Sequence, residues 1–318
     1  MSNILVLAGG SVKGAFQAGV VKALFEKGYT PDAIYGVSAG SLNAAYLVNQ
    51  LGLQKLSAEA LNLVQAGNDL WDFWETRITH PECLSKPLGL FDLGMSALRK
   101  KFKGLVNTQP LRDLLEEKLS MRNLQASPIA LKIGAVNIID GGIHYVDPSY
   151  DFFVDYLLAS SAVPILMPVV KINQEERNSF LDGGLRDVAP LQKAILDGGT
   201  NIICVSCHTE RIEGGKFDSG DLLALVDRVM DIAVNEILNA DLRESLLMND
   251  SLPDDGSVAL HGPYAGRKKA NIISIRPIHP LNIDIQNFTK MDIRKMLEIG
   301  YSLGSSIRLK EEYSSHKS

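Results

Sequence analysis

The chain opens on an unbroken apolar run, "ILVLA" at 4–8, then glycines, then a mixed segment, "KGAFQAGVVKALFEKG", at 13–28. A short apolar run bounded by turn residues fits a strand buried on both faces. In the mixed segment Phe16, Val20, Ala23 and Leu24 share one helical stripe, and Gly28 marks its stop. The unit then repeats: "AIYGVS" at 33–38 leads into "GSLNAAYLVNQLG" at 40–52. Short strands alternating with helices predict a parallel sheet in an α/β fold.

Residues 66–126 break this rhythm. They hold Trp71, Phe73 and Trp74, a basic run "RKKFK" at 99–103, and a predicted helix "TQPLRDLLEEKL" with Pro110 at its start. The stretch reads as an insertion within one domain spanning 1–309. Alternation then resumes, with strands predicted at "ALKIGAVNII" (130–139), "GIHYVD" (142–147), "SFL" before Asp182, and "NIICVSCH" (201–208). Helices are predicted at "YDFFVDYLLAS" (150–160) and "PLQKAILDGG" (190–199). A long helical pattern without proline covers 221–249, followed by a "PDDG" loop, a strand "NIISIRP" and a last helix from near Thr289. The tail "KEEYSSHKS", 310–318, is expected to be disordered.

With 318 residues, 46% hydrophobic and 22% charged, the chain can bury a large core. A net charge of -5 disfavours general nucleic-acid binding, which needs a basic footprint. No apolar stretch is long enough to span a bilayer, and the apolar start lacks the basic flank of a signal peptide. Three cysteines, Cys83, Cys204 and Cys207, make no disulfide framework in a chain of this size, so a reducing cytoplasm is expected. The segment "CVSCH" at 204–208 matches a haem-attachment pattern. On a strand, however, Cys204 and Cys207 would point to opposite faces, and the match is read as chance.

Chemistry enters at two turns. "GVSAG" at 36–40 is a G-x-S-x-G arrangement, which exposes Ser38 on a sharp strand-to-helix turn. "GGSVKG" at 9–14 follows the first strand, and in a parallel sheet both turns leave the same edge, where ligands of such sheets bind. The Gly10 and Ser11 amides are candidate oxyanion donors, each worth roughly 3 kcal/mol when well aimed. Because Lys13 precedes the last glycine, the loop fits neither nucleotide-binding pattern.

A serine nucleophile needs a base. His208, His261 and His279 follow in the chain order of a Ser-Asp-His triad, but His208 ends a strand and the other two lie in proline-containing loops. Three Asp-Gly-Gly triplets compete as carboxylates. Asp140 sits between two alternating segments as a hairpin turn, and the glycines after Asp197 read as a helix C-cap. Asp182 ends a strand before glycines that let the backbone pass close to another group, and it is the best remaining carboxylate.

Four blocks together, "GGSVKG" at 9–14, "GVSAG" at 36–40, "ASSAVP" at 159–164 and "DGG" at 182–184, resemble the patatin-like phospholipase family in the family's own order. The resemblance implies a three-layer α/β/α sandwich with a mainly parallel central sheet. It implies a dyad of Ser38 as nucleophile and Asp182 as general base, and an oxyanion loop at Gly9, Gly10 and Ser11. Lys13, Gly14, Gly36, Gly40, Gly183 and Gly184 complete the motifs. The implied reaction is hydrolysis of lipid carboxylic esters, of phospholipids or lysophospholipids, through an acyl-serine, with no metal and no cofactor. Ser11 stands where the family usually has a third glycine, so a left-handed backbone there would be strained. The same residues also suit an acyltransferase, a thioesterase or a non-catalytic lipid-binding module. The insertion at 66–126 is expected to form a lid whose aromatic rings meet lipid chains and whose basic run meets headgroups at a membrane surface. The alternative is a solvated basic face over a satellite core.

Overall fold

Alternate residues of strand β1 (Asn3–Leu7) serve two different cores. Leu5 and Leu7 join a cluster with Ile34, Ile203 and Val205, while Ile4 and Val6 join one with Ala33, Tyr35, Ile202 and Cys204. Successive strand residues face opposite sides of a sheet, so a strand apolar at every position must be covered on both. The structure, a computed structural model, describes residues 2–89, 104–212, 220–262 and 264–309. The basic run at 99–103 and the tail at 310–318 lie outside the described residues.

After β1 come α1 (Gly14–Glu26), β2 (Ala33–Val37), α2 (Ala39–Leu56) and α3 (Leu63–Arg77). The short strands β3 (Lys86–Pro87) and β4 (Val106–Asn107) pair with each other before α4 (Gln109–Lys118) and α5 (Met121–Ala126). The chain continues through β5 (Ala130–Asn137), β6 (Ile143–Val146), α6 (Phe153–Ser160), β7 (Val170–Lys171) and β8 (Ser179–Asp182). It ends with α7 (Leu191–Leu196), β9 (Asn201–Val205), α8 (Leu222–Asp250), β10 (Asn271–Ile275) and α9 (Lys290–Ser306). The main sheet runs β10-β9-β1-β2-β5-β8-β7, with β6 also on β5. Pairings from β10 to β5 are parallel; β6 and β8 run antiparallel to β5. Helices α1, α2, α3 and α9 cover the Leu5 face, and α7 and α8 cover the Ile4 face. This is the three-layer α/β/α sandwich.

Several elements depart from the sequence reading. Helix α1 is buried on nearly every side rather than along one stripe, because α3 and α9 pack over it from outside the sheet. The strand at 201 ends at Val205, where the Ser206 amide turns to the Ile275 carbonyl at 3.0 Å. Cys207 therefore lies beyond the strand, and the opposite-face placement of Cys204 and Cys207 does not hold; both are buried. Asp140 does make the hairpin between β5 and β6, with Gly141 at φ 72. Asp197 caps α7 before Gly198 at φ 94, and it binds Lys132 and Lys193 at 2.6 Å each.

The aromatic residues of the insertion start in α3 and face inward. Trp74 is 4% exposed, Phe73 stacks on Tyr46 at 4.7 Å, and Trp71 meets Tyr301 edge-on at 6.1 Å. These rings belong to the helical layer and pack in the same core as Leu5 and Leu7. Among the described residues no helix is long and apolar enough to cross a membrane.

Candidate active site

Strand register brings the two sequence-predicted residues level. Val37 pairs with Gly134 across β2 and β5, and Ala135 pairs with Asp182 across β5 and β8. One residue past Val37, Ser38 comes level with Ala135 and so with Asp182, on the other side of β5. Leu7 is likewise in register with Gly36, so the turns after β1 and β2 leave the sheet together.

Ser38 adopts φ 54 and ψ -129 between β2 and α2. A non-glycine residue in such a conformation costs about 1–3 kcal/mol and persists only where its surroundings hold it. Gly40 allows the tight turn: a Cβ there would lie 2.0 Å from the Leu7 carbonyl oxygen. The "ASSAVP" block closes round both residues. The Ser160 hydroxyl accepts the Ser38 N–H at 3.0 Å, and the Ala162 carbonyl accepts the Asp182 N–H at 3.1 Å.

Ser38 and Asp182 are each 6% exposed. The Ser38 side chain acts on the Asp182 carboxylate, whose Oδ1 accepts the Gly184 N–H at 2.8 Å. Burial pushes the Asp182 carboxyl up to about 6, against the opposing pull of Ser38 and the Gly184 N–H. A base near neutrality yet ionised at pH 7 suits proton transfer to and from a hydroxyl. His261 and His279 are exposed, and His208 directs Nε2 to Asp231 at 3.2 Å.

Gly9, Gly10 and Ser11 come to the same edge, but not all as donors. The Gly9 N–H donates to the Val188 carbonyl at 2.9 Å, so Gly9 is removed from the oxyanion set; its amide anchors the turn instead. Among the described residues the Gly10 and Ser11 amides find no acceptor. Gly10 must be glycine because a Cβ would lie 2.4 Å from the Cys207 Cβ. Ser11 takes φ 51, the left-handed angle at which its departure from glycine is strained. Lys13 ends the 3-10 turn Ser11–Lys13 and binds Asp231 of α8 at 2.8 Å. Gly14 abuts Trp74 and Ala39, Gly36 the Gly40 carbonyl, Gly183 the Gly134 carbonyl, and Gly184 the Asp182 carboxylate.

A cavity of about 810 Å³ opens over these groups. Its apolar wall includes Leu84, Pro87 and Val106 of the insertion and Leu166 and Met167 beyond α6. Its polar end carries Lys13, His208, Asp227, Arg228 and Asp231. Burial opposes the Asp231 charge, but hydrogen bonds from His208 and Lys13 outweigh it and hold the carboxyl well below its usual range. Burial, opposed by the neighbouring Asp231, holds His208 below its ordinary value. Sequence reasoning missed Asp231 entirely, since nothing local marks a partner 218 residues from Lys13. Ser160 was visible within its block, although its bond to Ser38 was not.

Fold and site together place the chain among α/β/α proteins built around a serine on a strand-to-helix turn. The description patatin-like phospholipase matches residues 5–195, and the chain belongs to that family. No curated protein matches it. Among solved structures, VipD from Legionella pneumophila is similar at 14% identity with a TM-score of 0.39, over 95% of this chain. The chain spans 66% of the length of that VipD chain.

Proposed function

We propose that the chain is a serine acyl hydrolase that cleaves carboxylic ester bonds of lipids through Ser38 and Asp182. The observation that carries this reading is the strand register that sets Ser38 beside the buried Asp182 carboxylate, at the edge where the Gly10 and Ser11 amides find no acceptor among the described residues. Ser38 Oγ attacks the ester carbonyl carbon while its proton passes to Asp182. The Gly10 and Ser11 N–H groups receive the oxyanion. The tetrahedral species collapses as the carbon–oxygen bond to the alcohol breaks, and Asp182 returns its proton to the departing alkoxide. Water then attacks the acyl-serine, Asp182 takes a proton from it, and Ser38 leaves with that proton restored.

The cavity's apolar wall suits an acyl chain, and phospholipids and lysophospholipids are the substrate classes we favour. Within 66–126, His80, Pro81, Glu82, Leu84, Ser85, Pro87 and Val106 border the cavity, and it is to this stretch that we assign peripheral membrane contact. The free thiols of Cys83, Cys204 and Cys207 support a cytoplasmic setting. The reading is tested by fluorophosphonate labelling and hydrolysis of p-nitrophenyl acyl esters by the wild type and Ser38→Ala. Loss of both in a folded Ser38→Ala variant is expected; full activity without Ser38 defeats the reading.

A further inference from the structure

Five residues beyond Asp182 lies a carboxyl pair that this reaction does not use. Asp187 receives the Tyr145 hydroxyl on Oδ2, while its Oδ1 is buried and finds no N–H or hydroxyl donor among the described residues. Asp241 of α8 reaches the same segment, its Oδ2 bonded to the amide of the residue after Asp187, and the two carboxyl groups act on each other's charge. Two adjacent buried carboxyl groups with no cation between them are costly to ionise together, which favours one of them keeping a proton. Asp241 Oδ2 accepts the Val188 N–H at 2.8 Å and, more loosely, the Ala189 N–H at 3.5 Å. The Val188 carbonyl accepts the Gly9 N–H at 2.9 Å, and Gly10 follows as an oxyanion donor. Gly9 is itself tight against the nucleophile, since a Cβ on it would lie 3.3 Å from the Ser38 Cβ.

Little around the pair favours two negative charges. Tyr145 faces it from β6 and Cys204 from β9, and Asp197 acts on Tyr145 from the end of α7. Lys193 lies 5.9 Å from the Tyr145 ring centroid but is bound to Asp197, and Arg276 beside Cys204 is bonded to the His208 and Thr209 carbonyls. Among the described residues neither Asp187 nor Asp241 has a salt-bridge partner. Burial first, then the neighbouring Asp187 charge, raises Asp241 above the ordinary carboxylate range, and burial raises Asp187.

We propose that Asp187 and Asp241 share one proton, and that the protonated pair positions the oxyanion turn through Val188 and Gly9. With the proton in place, α8 is bonded to the 187–189 segment and that segment to the turn. When it is lost, two adjacent carboxylates repel, the Val188 bridge relaxes and the Gly10 amide loses its aim. Asp241 is thus a positioning residue, and its pH dependence separates that role from packing. The inference rests on the Ser38–Asp182 reading for its kinetic readout.

The test compares kcat and KM for a p-nitrophenyl acyl ester across about pH 5 to 9.5 in the wild type, Asp241→Asn and Asp241→Ala. An asparagine offers Asp187 a donor and Val188 an acceptor at every pH. The wild-type kcat is expected to fall by up to about tenfold per pH unit on the alkaline side, and Asp241→Asn to lose that fall. Asp241→Ala, lacking the Val188 acceptor, is expected to lower kcat at all pH values by roughly 10- to 100-fold with KM within about twofold, less than or comparable to losing one oxyanion donor. The same alkaline fall in Asp241→Asn, or wild-type kcat in Asp241→Ala, overturns the proposal. Should those variants not fold, Asp187→Asn removes the second ionisation equally and carries the same expectation. Thermal unfolding gives a readout independent of turnover. The folded pair holds a proton that the unfolded chain releases, so wild-type Tm should decline relative to Asp241→Asn as pH rises from the carboxylate range past neutrality. Parallel Tm–pH curves overturn the shared proton, whereas a wild-type Ser38 that never labels defeats the hydrolase reading and leaves the Tm comparison standing.

Discussion

The Ser160 hydroxyl bridges Ser38 and the central strand: it accepts the Ser38 N–H at 3.0 Å and donates to the Gly134 carbonyl at 2.7 Å. Ser160 is fully buried, so water cannot replace either bond. Ser160→Ala should therefore cost about 1–3 kcal/mol by leaving buried groups unpaired. Because the Ser38 turn holds an unfavourable φ of 54, the loss should also reach kcat, by roughly tenfold, with KM little changed. Urea unfolding and steady-state kinetics check both, and an unaltered unfolding midpoint would show that other contacts fix the turn.

In the proposed reaction Asp182 has to be ionised to accept the Ser38 proton, and its carboxyl is raised to about 6, chiefly by burial. Log kcat/KM should climb with a slope near one below about pH 6, on the acid side of the alkaline fall that the Asp187–Asp241 pair sets. The same shift has a stability consequence of opposite sense. A raised carboxyl binds its proton more tightly in the folded state, so its contribution is complete below the unfolded value of 3.8 and is lost as pH rises through about 6. Asp182→Asn should thus be inactive yet more stable than the wild type at neutral pH, by about 2 kcal/mol, and should lose that advantage near pH 4. Chemical denaturation at the two pH values measures it.

Ser11 holds φ 51 in the oxyanion turn. Glycine there removes a steric cost of about 1–2 kcal/mol but adds freedom to the unfolded chain, so Ser11→Gly should gain only about 0.5 kcal/mol. Ser11→Val, β-branched at a left-handed angle, should lose more than 1 kcal/mol. Calorimetry on the pair decides it: two variants of equal Tm would mean that the turn relaxes when its side chain changes.

How much of this was legible in the sequence depended on whether the signal was local. The strands of "NILVL", "AIYGV" and "NIICV" announced themselves as apolar runs because both faces of the sheet are covered. The last helix was marked by Thr289, which forms a capping box with Asp292. Ser38 and Asp182 stood out because their glycine contexts demand close backbone approach. Helix α1 misled because a helix covered by sheet on one side and helices on the other has no polar stripe to show. Gly9 and Gly10 are indistinguishable as letters, and only the Val188 carbonyl marks the Gly9 amide as an anchor, whereas the Gly10 amide finds no acceptor among the described residues. Lys13 and Asp231, or Asp187 and Asp241, meet through tertiary packing, which leaves no spacing to read.

The tryptophans of the insertion supply the remaining prediction. Trp74 Nε1 donates to Asn43 Oδ1 at 2.7 Å, and Asn43 Nδ2 donates to Gln17 Oε1 at 3.0 Å. Gln17 Nε2 in turn donates to the Ala8 carbonyl at 2.6 Å, one residue before the oxyanion turn. A buried network of this kind is costly to interrupt, because each freed atom stays out of water. Trp74→Phe should destabilise the protein by about 1–3 kcal/mol. In a Trp71→Phe background, where Trp74 is the sole tryptophan, emission should stay unchanged when phospholipid vesicles are added and should shift only on unfolding. A blue shift or a gain in intensity on vesicle addition, with the fold intact by circular dichroism, would return this ring to a lipid-facing lid and remove Trp74 from the scaffold beneath Ala8.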